Sequence, residues 1–169
     1  MNEIHFALYT CTFTGHRPDK LPWGSNERDI RCAALKKRIY DAVEAVYLGG
    51  IRHYICGMAR GCDTYFGEAV LRLREEHPEV TLEAAIPCED QTHNWSARDC
   101  RRYAALVSAC DEKHILQKTY TRDCMALRNK YMVDHASVLI AVWSGSEGGT
   151  AQTVRYAQHR GLEIIRLAP

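Results

Sequence analysis

The chain has 169 residues, of which 46% are hydrophobic and 25% charged, as in a single globular domain whose core needs no metal or disulfide. Its 22 basic and 21 acidic side chains leave a net charge of +1, which provides no general attraction to nucleic acid or anionic membranes. No apolar run approaches the ~20 residues of a membrane span, and the first residues lack the basic segment of a secretory leader, so we expect a cytoplasmic protein.

Short β-forming segments alternate with helical segments along the whole chain. The predicted strands are residues 5–13, 52–56, 80–86, 114–117, 137–143 and 163–167. The predicted helices are residues 27–48, 63–76, 92–109, 122–135 and 150–159. This alternation is typical of a parallel sheet covered by helices on both faces. The sequence therefore predicts one domain over residues 1–169, a three-layer, Rossmann-like α/β fold with a mostly parallel sheet of about six strands.

The eight cysteines and eight histidines do not have the spacing of a metal site. No pair of cysteines has the C-x-x-C spacing of a zinc ribbon or redox motif, and the histidines form no H-x-x-x-H or H-E-x-x-H motif. Most cysteines lie in apolar segments, where a free thiol packs as a small hydrophobic side chain. We therefore predict a reduced protein with no metal site and no required cofactor.

The loop that follows the first strand carries three polar side chains around a glycine. Ligands of open parallel sheets bind beyond the carboxyl ends of the strands, so such loops are the first place to look. Thr14, Gly15, His16 and Arg17 supply a hydroxyl, a tight turn, an imidazole and a guanidinium. The planar fork of an arginine can donate two hydrogen bonds to a phosphate. The residues alone leave open the alternative of a plain turn with Arg17 in water.

The loop that follows the second strand holds two glycines directly before a helix. Gly57 and Gly61, with Arg60 between them, can expose backbone amides to an anion. The segment is neither a G-x-G-x-x-G motif nor a Walker A loop, because the lysine and the third glycine are absent. Asp63 is suited to cap the helix, or alternatively to accept a hydrogen bond from a ligand hydroxyl or amine.

The loop that follows the fifth strand has the composition of a phosphate-binding turn. Ser144, Gly148, Gly149 and Thr150 lead straight into a helix, whose unpaired amides and positive dipole end favour an anion. Glu147 lies among them, and either points outward or contacts a sugar hydroxyl or a base.

The helix before the fifth strand supplies a further cation. Met125, Arg128 and Met132 are spaced i, i+3 and i+7 and share one helix face. If the methionines enter the core, Arg128 is drawn into buried territory and requires an anionic partner, either a ligand or an acidic side chain. The alternative is an arginine whose head reaches solvent along its stem.

Together these segments resemble the SLOG superfamily, and most closely its YpsA-like group of small bacterial proteins. The superfamily also contains the DNA-processing protein DprA and the LOG phosphoribohydrolases. The resemblance covers roughly residues 12–167 and implies a Rossmann-like fold with a pocket for a nucleotide or an ADP-ribose-like ligand. The ligand-binding residues expected from the loops and the resemblance are Thr14, Gly15, His16, Arg17, Gly57, Arg60, Gly61, Asp63, Arg128, Asn129, Ser144, Gly148, Gly149 and Thr150.

The resemblance leaves catalysis open. LOG enzymes carry a P-G-G-x-G-T-x-x-E signature whose glutamate is implicated in N-glycosidic cleavage, and alignment on Thr150 places Thr153 at that position. Without a carboxylate to stabilise the developing positive charge or activate water, the same route is not supported. Asp63 and Glu147 are the candidate replacements, provided that the fold brings one of them beside the sugar.

Three functions follow from these residues. The first is a protein that binds a nucleotide or nucleotide derivative, either as a sensor or as a specialised enzyme. The second is a LOG-like nucleoside monophosphate phosphoribohydrolase. The third is a DprA-like nucleic-acid-binding module that uses the basic runs 36–38 and 98–102 with Trp23 and Trp95. The net charge disfavours the third. We expect Trp95 to be a packing residue and leave Trp23 open between packing and a lid. Members of the superfamily often self-associate, but no residue here proves an interface.

Overall fold

Six strands form one sheet in the order β4-β3-β2-β1-β5-β6, and every neighbouring pair is parallel. The structure is a computed structural model that describes residues 7–169. The strands are β1 (Thr10–Gly15), β2 (His53–Cys56), β3 (Thr81–Ile86), β4 (Glu112–Ile115), β5 (Val138–Val142) and β6 (Glu163–Leu167). The helices are α1 (Ile30–Leu48), α2 (Cys62–Glu76), α3 (Ala97–Ser108), α4 (Cys124–Asp134) and α5 (Gly149–Arg160), with a short 3-10 helix at Pro18–Lys20. The predicted α/β fold is confirmed.

The predicted elements occur in the predicted order, and the differences in their ends have local causes. Helix α1 begins at Ile30 because the Asp29 carboxylate accepts a hydrogen bond from the Arg31 amide (2.8 Å). Helix α3 begins at Ala97, five residues later than predicted, because Ser96 caps it by accepting from the Asp99 amide (3.1 Å). The first strand was predicted over 5–13 and runs over Thr10–Gly15; residues 5 and 6 lie outside the described part of the chain.

The order in which strands are added to the sheet reverses at β1. The chain places β2, β3 and β4 successively on one side of β1, then returns to place β5 and β6 on the other side. Gly15, the last residue of β1, is paired with Val142, the last residue of β5. The loops that follow these two strands therefore leave the sheet side by side, at the point where open α/β sheets bind ligands.

Alternating side chains of the strands enter separate cores on the two faces of the sheet. Val138, Ile140 and Val142 belong to the larger cluster, together with residues of α1 and α2. Leu139 and Ala141 pack on the other face with Val133, Val154 and Ala157, which belong to α4 and α5. The two faces together produce the three predicted layers. Six of the eight cysteines are buried, in agreement with their expected packing role. Within residues 7–169, no helix combines the length and apolar character needed to cross a bilayer.

Candidate functional site

A cleft of about 310 Å³ opens at the carboxyl ends of β1 and β5. Its volume lies at the lower end of the range for small-molecule sites, roughly 300–1,000 Å³. Polar and charged side chains reach it from the end of β1, from the loop after β1 and from the N-terminal halves of three helices. It is lined by Phe13, Thr14, Gly15, His16, Arg17, Asp19, Lys20, Ala59, Asp63, Met125, Arg128, Asn129, Gly149 and Thr150.

Arg128 forms the floor of this cleft and is only 4% exposed. Its Nη1 donates to the carbonyl of Gly57, and its Nε donates to Oδ1 of Asn129 at 2.8 Å. Its Nη2 reaches the thioether of Met125 at 3.9 Å, which is a weak acceptor. Burial lowers the pKa of the guanidinium, and Asp63 opposes that shift. Of the two alternatives for Arg128, the structure shows the buried one: Met132 of the same face is 2% exposed, whereas Met125 is half-buried and lines the cleft.

Asp63 is the acidic partner of Arg128. Its Oδ2 lies 3.7 Å from Arg128 Nη1 and accepts a hydrogen bond from the Ala59 amide at 3.2 Å. Helix α2 begins after Gly61 without a side-chain cap, so the interpretation of Asp63 as a helix cap was wrong. Burial raises the pKa of this carboxyl, and Arg128 opposes the shift. The cleft thus contains a buried ion pair rather than an isolated cation.

Residue 57 must be glycine because the side chains of Arg128 and Asp63 lie against its backbone. A Cβ at this position would overlap the Arg128 guanidinium and would stand 2.8 Å from Oδ2 of Asp63. Gly57 is absent from the cleft lining. Its role is to let the backbone pass beneath Arg128 and to present the carbonyl that fixes the guanidinium.

Asn129 connects the ion pair to helix α5. Its Nδ2 donates to the Thr153 hydroxyl at 3.0 Å, and that hydroxyl donates to the carbonyl of Gly149 at 2.9 Å. Thr153 is the residue aligned with the LOG glutamate, and it is 5% exposed. At this position the chain therefore has a structural link between α4 and α5.

The first turn of α5 has backbone amides without a side-chain cap. Gly148 adopts φ 138° before the helix, and its N-cap position provides no side-chain cap. Glycine is needed here for its φ, whereas the one atom that a Cβ would approach, Nζ of Lys20 at 2.8 Å, is the end of a flexible side chain that can move aside. The hydroxyls of Thr14 and Thr150 also line the cleft. Uncapped amides at a helix start, with the positive end of its dipole, attract anions.

His16 joins the loop after β1 to the loop after β5. Its Nε2 accepts from the backbone N–H of Ser144 at 3.1 Å and contacts the Ser144 hydroxyl at 3.0 Å. The ring is 3% exposed. Burial lowers its pKa, Lys20 lowers it further and Asp19 opposes the shift. The neutral ring, with its proton on Nδ1, is therefore the form that holds the two loops together.

This contact predicts a pH-dependent stability. Because the folded pKa of His16 lies below its unfolded value of about 6.5, the contribution is complete above pH ~6.5 and is lost as pH falls through the folded pKa. Between pH 7.5 and 5, the free energy of unfolding in urea should fall more steeply for the wild type than for His16→Gln. His159→Gln, at an exposed position of α5, should retain the wild-type slope. Equal slopes for all three proteins would contradict this role.

The cleft unites most of the residues expected to bind ligand. Nine of the expected residues line it, namely Thr14, Gly15, His16, Arg17, Asp63, Arg128, Asn129, Gly149 and Thr150. Five do not, namely Gly57, Arg60, Gly61, Ser144 and Gly148. Of these, Gly61 and Gly148 give the loops their positive φ, of 84° and 138°, and Ser144 holds His16. Arg60 lies over the Trp95 ring, 5.5 Å from its centroid.

Five residues of the lining were not predicted from the sequence: Phe13, Asp19, Lys20, Ala59 and Met125. Lys20 is the most informative, because its Nζ donates to the carbonyl of Glu147 at 3.2 Å and so ties the β1 loop to the β5 loop. No spacing in the sequence signals this contact.

Glu147, one of two candidate catalytic residues, does not line the cleft. Its side chain is 81% exposed and accepts two hydrogen bonds from Arg155, each 3.0 Å long. Asp63, the other candidate, does line the cleft. Within residues 7–169, no cluster of three or more histidine, cysteine or acidic side chains could hold a metal ion.

Half of the six basic side chains in the runs considered for nucleic acid are paired with acidic side chains. Lys36 contacts Glu27 at 2.5 Å, Lys37 contacts Asp41 at 2.6 Å, and Arg102 contacts both Glu27 and Glu68. Trp23 is 6% exposed and belongs to the core, so of the two roles left open for it, packing is the one that the structure shows. Trp95 is half-buried and packs edge-on against Tyr103, with ring centroids 5.6 Å apart.

A family model of the YspA SLOG family matches residues 11–163. The chain belongs to the YspA SLOG family. The uncharacterised SPbeta prophage-derived protein YoqJ of Bacillus subtilis is 28% identical over 150 residues, covering 80% of this chain and 88% of that protein. The UPF0398 protein YpsA of B. subtilis is 22% identical over 146 residues, covering 85% of this chain and 80% of that protein.

Three solved structures share the fold of this YspA SLOG chain at low sequence identity. DNA processing protein A from Streptococcus pneumoniae superposes with a TM-score of 0.64 at 13% identity, over 94% of this chain. This chain spans only half the length of that protein. DNA processing protein A from Helicobacter pylori, whose structure is described for its single-stranded DNA binding mode, gives a TM-score of 0.62 at 13% identity, over 97% of this chain and 66% of that one. The protein TM1055 superposes with a TM-score of 0.57 at 14% identity, over 93% of this chain and 72% of that one. The shared feature is the fold.

Proposed function

We propose that this YspA SLOG protein is a cytoplasmic binder of a nucleotide or nucleotide derivative, as a sensor or a specialised enzyme. The phosphate would occupy the cleft between the loops after β1 and β5. The observation that carries the proposal is Arg128, a nearly buried cation that lines this cleft together with the uncapped start of α5.

The charges of the cleft support an anionic ligand. Arg17, Lys20 and Arg128 face two carboxylates, those of Asp19 and Asp63. Because Asp63 is already paired with Arg128, Arg17 is the cation most available to a ligand. It is exposed. An arginine in this position can bind a phosphate through two parallel hydrogen bonds.

Calorimetric titration of the full chain with nucleoside mono- and diphosphates, cyclic nucleotides and ADP-ribose tests the proposal. At least one of these should bind, and Arg17→Gln should weaken binding about 10-fold or more, because a charge-assisted hydrogen bond contributes roughly 1.5–3 kcal/mol. The matched control is Arg38→Gln in helix α1. The Arg38 side chain donates to the carbonyl of Ala168 and does not line the cleft, so this variant should bind the ligand as the wild type does. A folded protein that binds none of the panel would contradict the proposal.

The position of Asp63 in the cleft favours a second candidate, a phosphoribohydrolase-like N-glycosidase. Of the two candidate residues, only Asp63 lines the cleft, where a carboxylate could stabilise the positive charge that develops on the sugar or activate water. Release of free base from nucleoside monophosphates, followed by chromatography, would reveal the activity. Asp63→Asn should then abolish release, whereas Glu147→Gln should not, because Glu147 is paired with Arg155 outside the cleft. No release by the wild type would leave binding alone as the proposed function.

A further inference from the structure

A second recess of about 480 Å³ adjoins the cleft. It is bordered by the loop over residues 87–96, after β3, and the loop over residues 116–123, after β4. These two loops are joined by a hydrogen bond from the Glu89 amide to the carbonyl of Lys118 (3.3 Å). Arg17, Ala59 and Met125 line both the cleft and the recess. One ligand can therefore extend from the first space into the second.

Gln91 provides an unused acceptor in the wall of the recess. Its side chain is 7% exposed, and its Nε2 donates to the carbonyl of Gly57 at 3.2 Å. Its Oε1 is buried and has no hydrogen-bond partner among residues 7–169. A buried amide oxygen without a donor is unfavourable and uncommon in native proteins. Since Nε2 donates to the Gly57 carbonyl, the orientation of the amide is fixed, and Oε1 is left as an acceptor without a donor in the described part of the chain.

Two aromatic side chains of the recess suit a planar ligand. Trp95 is half-buried and held by the edge of Tyr103 and by Arg60. Tyr120, on the opposite loop, is 60% exposed. Nucleic-acid bases stack on such rings, and each stacking contact contributes substantially to binding. An exposed tyrosine beside a half-buried tryptophan and a fixed amide acceptor is therefore a suitable environment for a base.

We propose that the recess binds the base of a nucleotide whose phosphate lies in the cleft. The base stacks on Trp95 or Tyr120, and one of its amino groups donates a hydrogen bond to Oε1 of Gln91. The inference rests on the proposed function and narrows the ligand to nucleotides of adenine, guanine or cytosine, whose bases carry an exocyclic amino group.

Titration of the full chain with ADP, GDP, CDP and inorganic pyrophosphate separates the base from the phosphates. At least one nucleotide should bind 10-fold or more tightly than pyrophosphate. Tyr120→Ala should weaken that nucleotide at least fivefold and leave pyrophosphate affinity within twofold. Gln91→Met should have the same selective effect. Gln158→Met, at an exposed position of α5, is the matched control and should change neither affinity.

The outcomes distinguish the recess from the cleft. Equal affinities of the wild type for the nucleotides and pyrophosphate would overturn the recess assignment and leave the phosphate site intact. Variants that weaken both kinds of ligand equally would overturn it as well. If neither nucleotides nor pyrophosphate bind to the folded protein, the proposed function fails together with this inference. Thermal unfolding of each variant establishes that it is folded. If Gln91→Met does not fold, Tyr120→Ala alone still tests the recess.

Discussion

Replacing Arg128 with methionine is expected to lower the free energy of unfolding by about 3–5 kcal/mol, the usual effect of removing one member of a buried ion pair. The variant would leave the buried Asp63 carboxylate without the guanidinium that lies 3.7 Å away. It would also remove the donor to the Gly57 carbonyl. Urea denaturation followed by circular dichroism measures the change.

A double variant and a surface pair provide the controls. Arg128→Met/Asp63→Asn should be more stable than the sum of the two single effects predicts, because the two residues are coupled. Arg155→Met removes an ion pair whose members are 52% and 81% exposed, and it should cost at most ~1 kcal/mol. A cost for Arg128→Met as small as for Arg155→Met would show that the buried pair does not stabilise the cleft.

Gly57→Ala is expected to weaken ligand binding at least 10-fold and to destabilise the fold by roughly 1–3 kcal/mol, as overpacked buried sites do. The added methyl group would occupy the space of the Arg128 guanidinium. The arginine would have to leave its position at the cleft floor and lose its bond to the Gly57 carbonyl. Calorimetric titration with the tightest ligand of the nucleotide panel, together with urea denaturation, measures both effects.

Gly149→Ala is the matched glycine substitution for stability. A Cβ at Gly149 meets nothing within 4 Å, and alanine is a better helix former than glycine. Its free energy of unfolding should therefore equal or exceed that of the wild type. Wild-type ligand affinity in Gly57→Ala would contradict the role of Gly57 in holding Arg128.

Strand and helix order could be predicted from the sequence because hydrophobic periodicity reports burial directly. The alternation of buried strands such as Val138–Val142 with glycine turns was sufficient to predict the α/β class. Helix starts were harder, because Asp29 and Ser96 act as caps through single hydrogen bonds that several nearby polar residues could equally have made.

Part of the candidate site could be predicted once the parallel sheet had been predicted. Parallel strands bring the loops after β1 and β5 to one edge, so most of the polar residues in those loops meet in one cleft. The Asp63–Arg128 pair was not predictable as a pair, because its members are 65 residues apart and each had a local interpretation. Asp63 looked like a helix cap, and it instead accepts from Ala59 and faces Arg128. The Lys20 contact with the Glu147 carbonyl likewise depends on the three-dimensional approach of two loops.

The most direct test of the phosphate site is an amide chemical-shift map of the full chain during titration with ADP or with inorganic pyrophosphate. The largest shifts should fall on the amides of Gly15, His16, Arg17, Gly149 and Thr150, which line the cleft at the end of β1, in the loop after it and at the start of α5. Shifts concentrated instead on the basic faces of α1 and α3, with these amides unchanged, would contradict the proposed phosphate site.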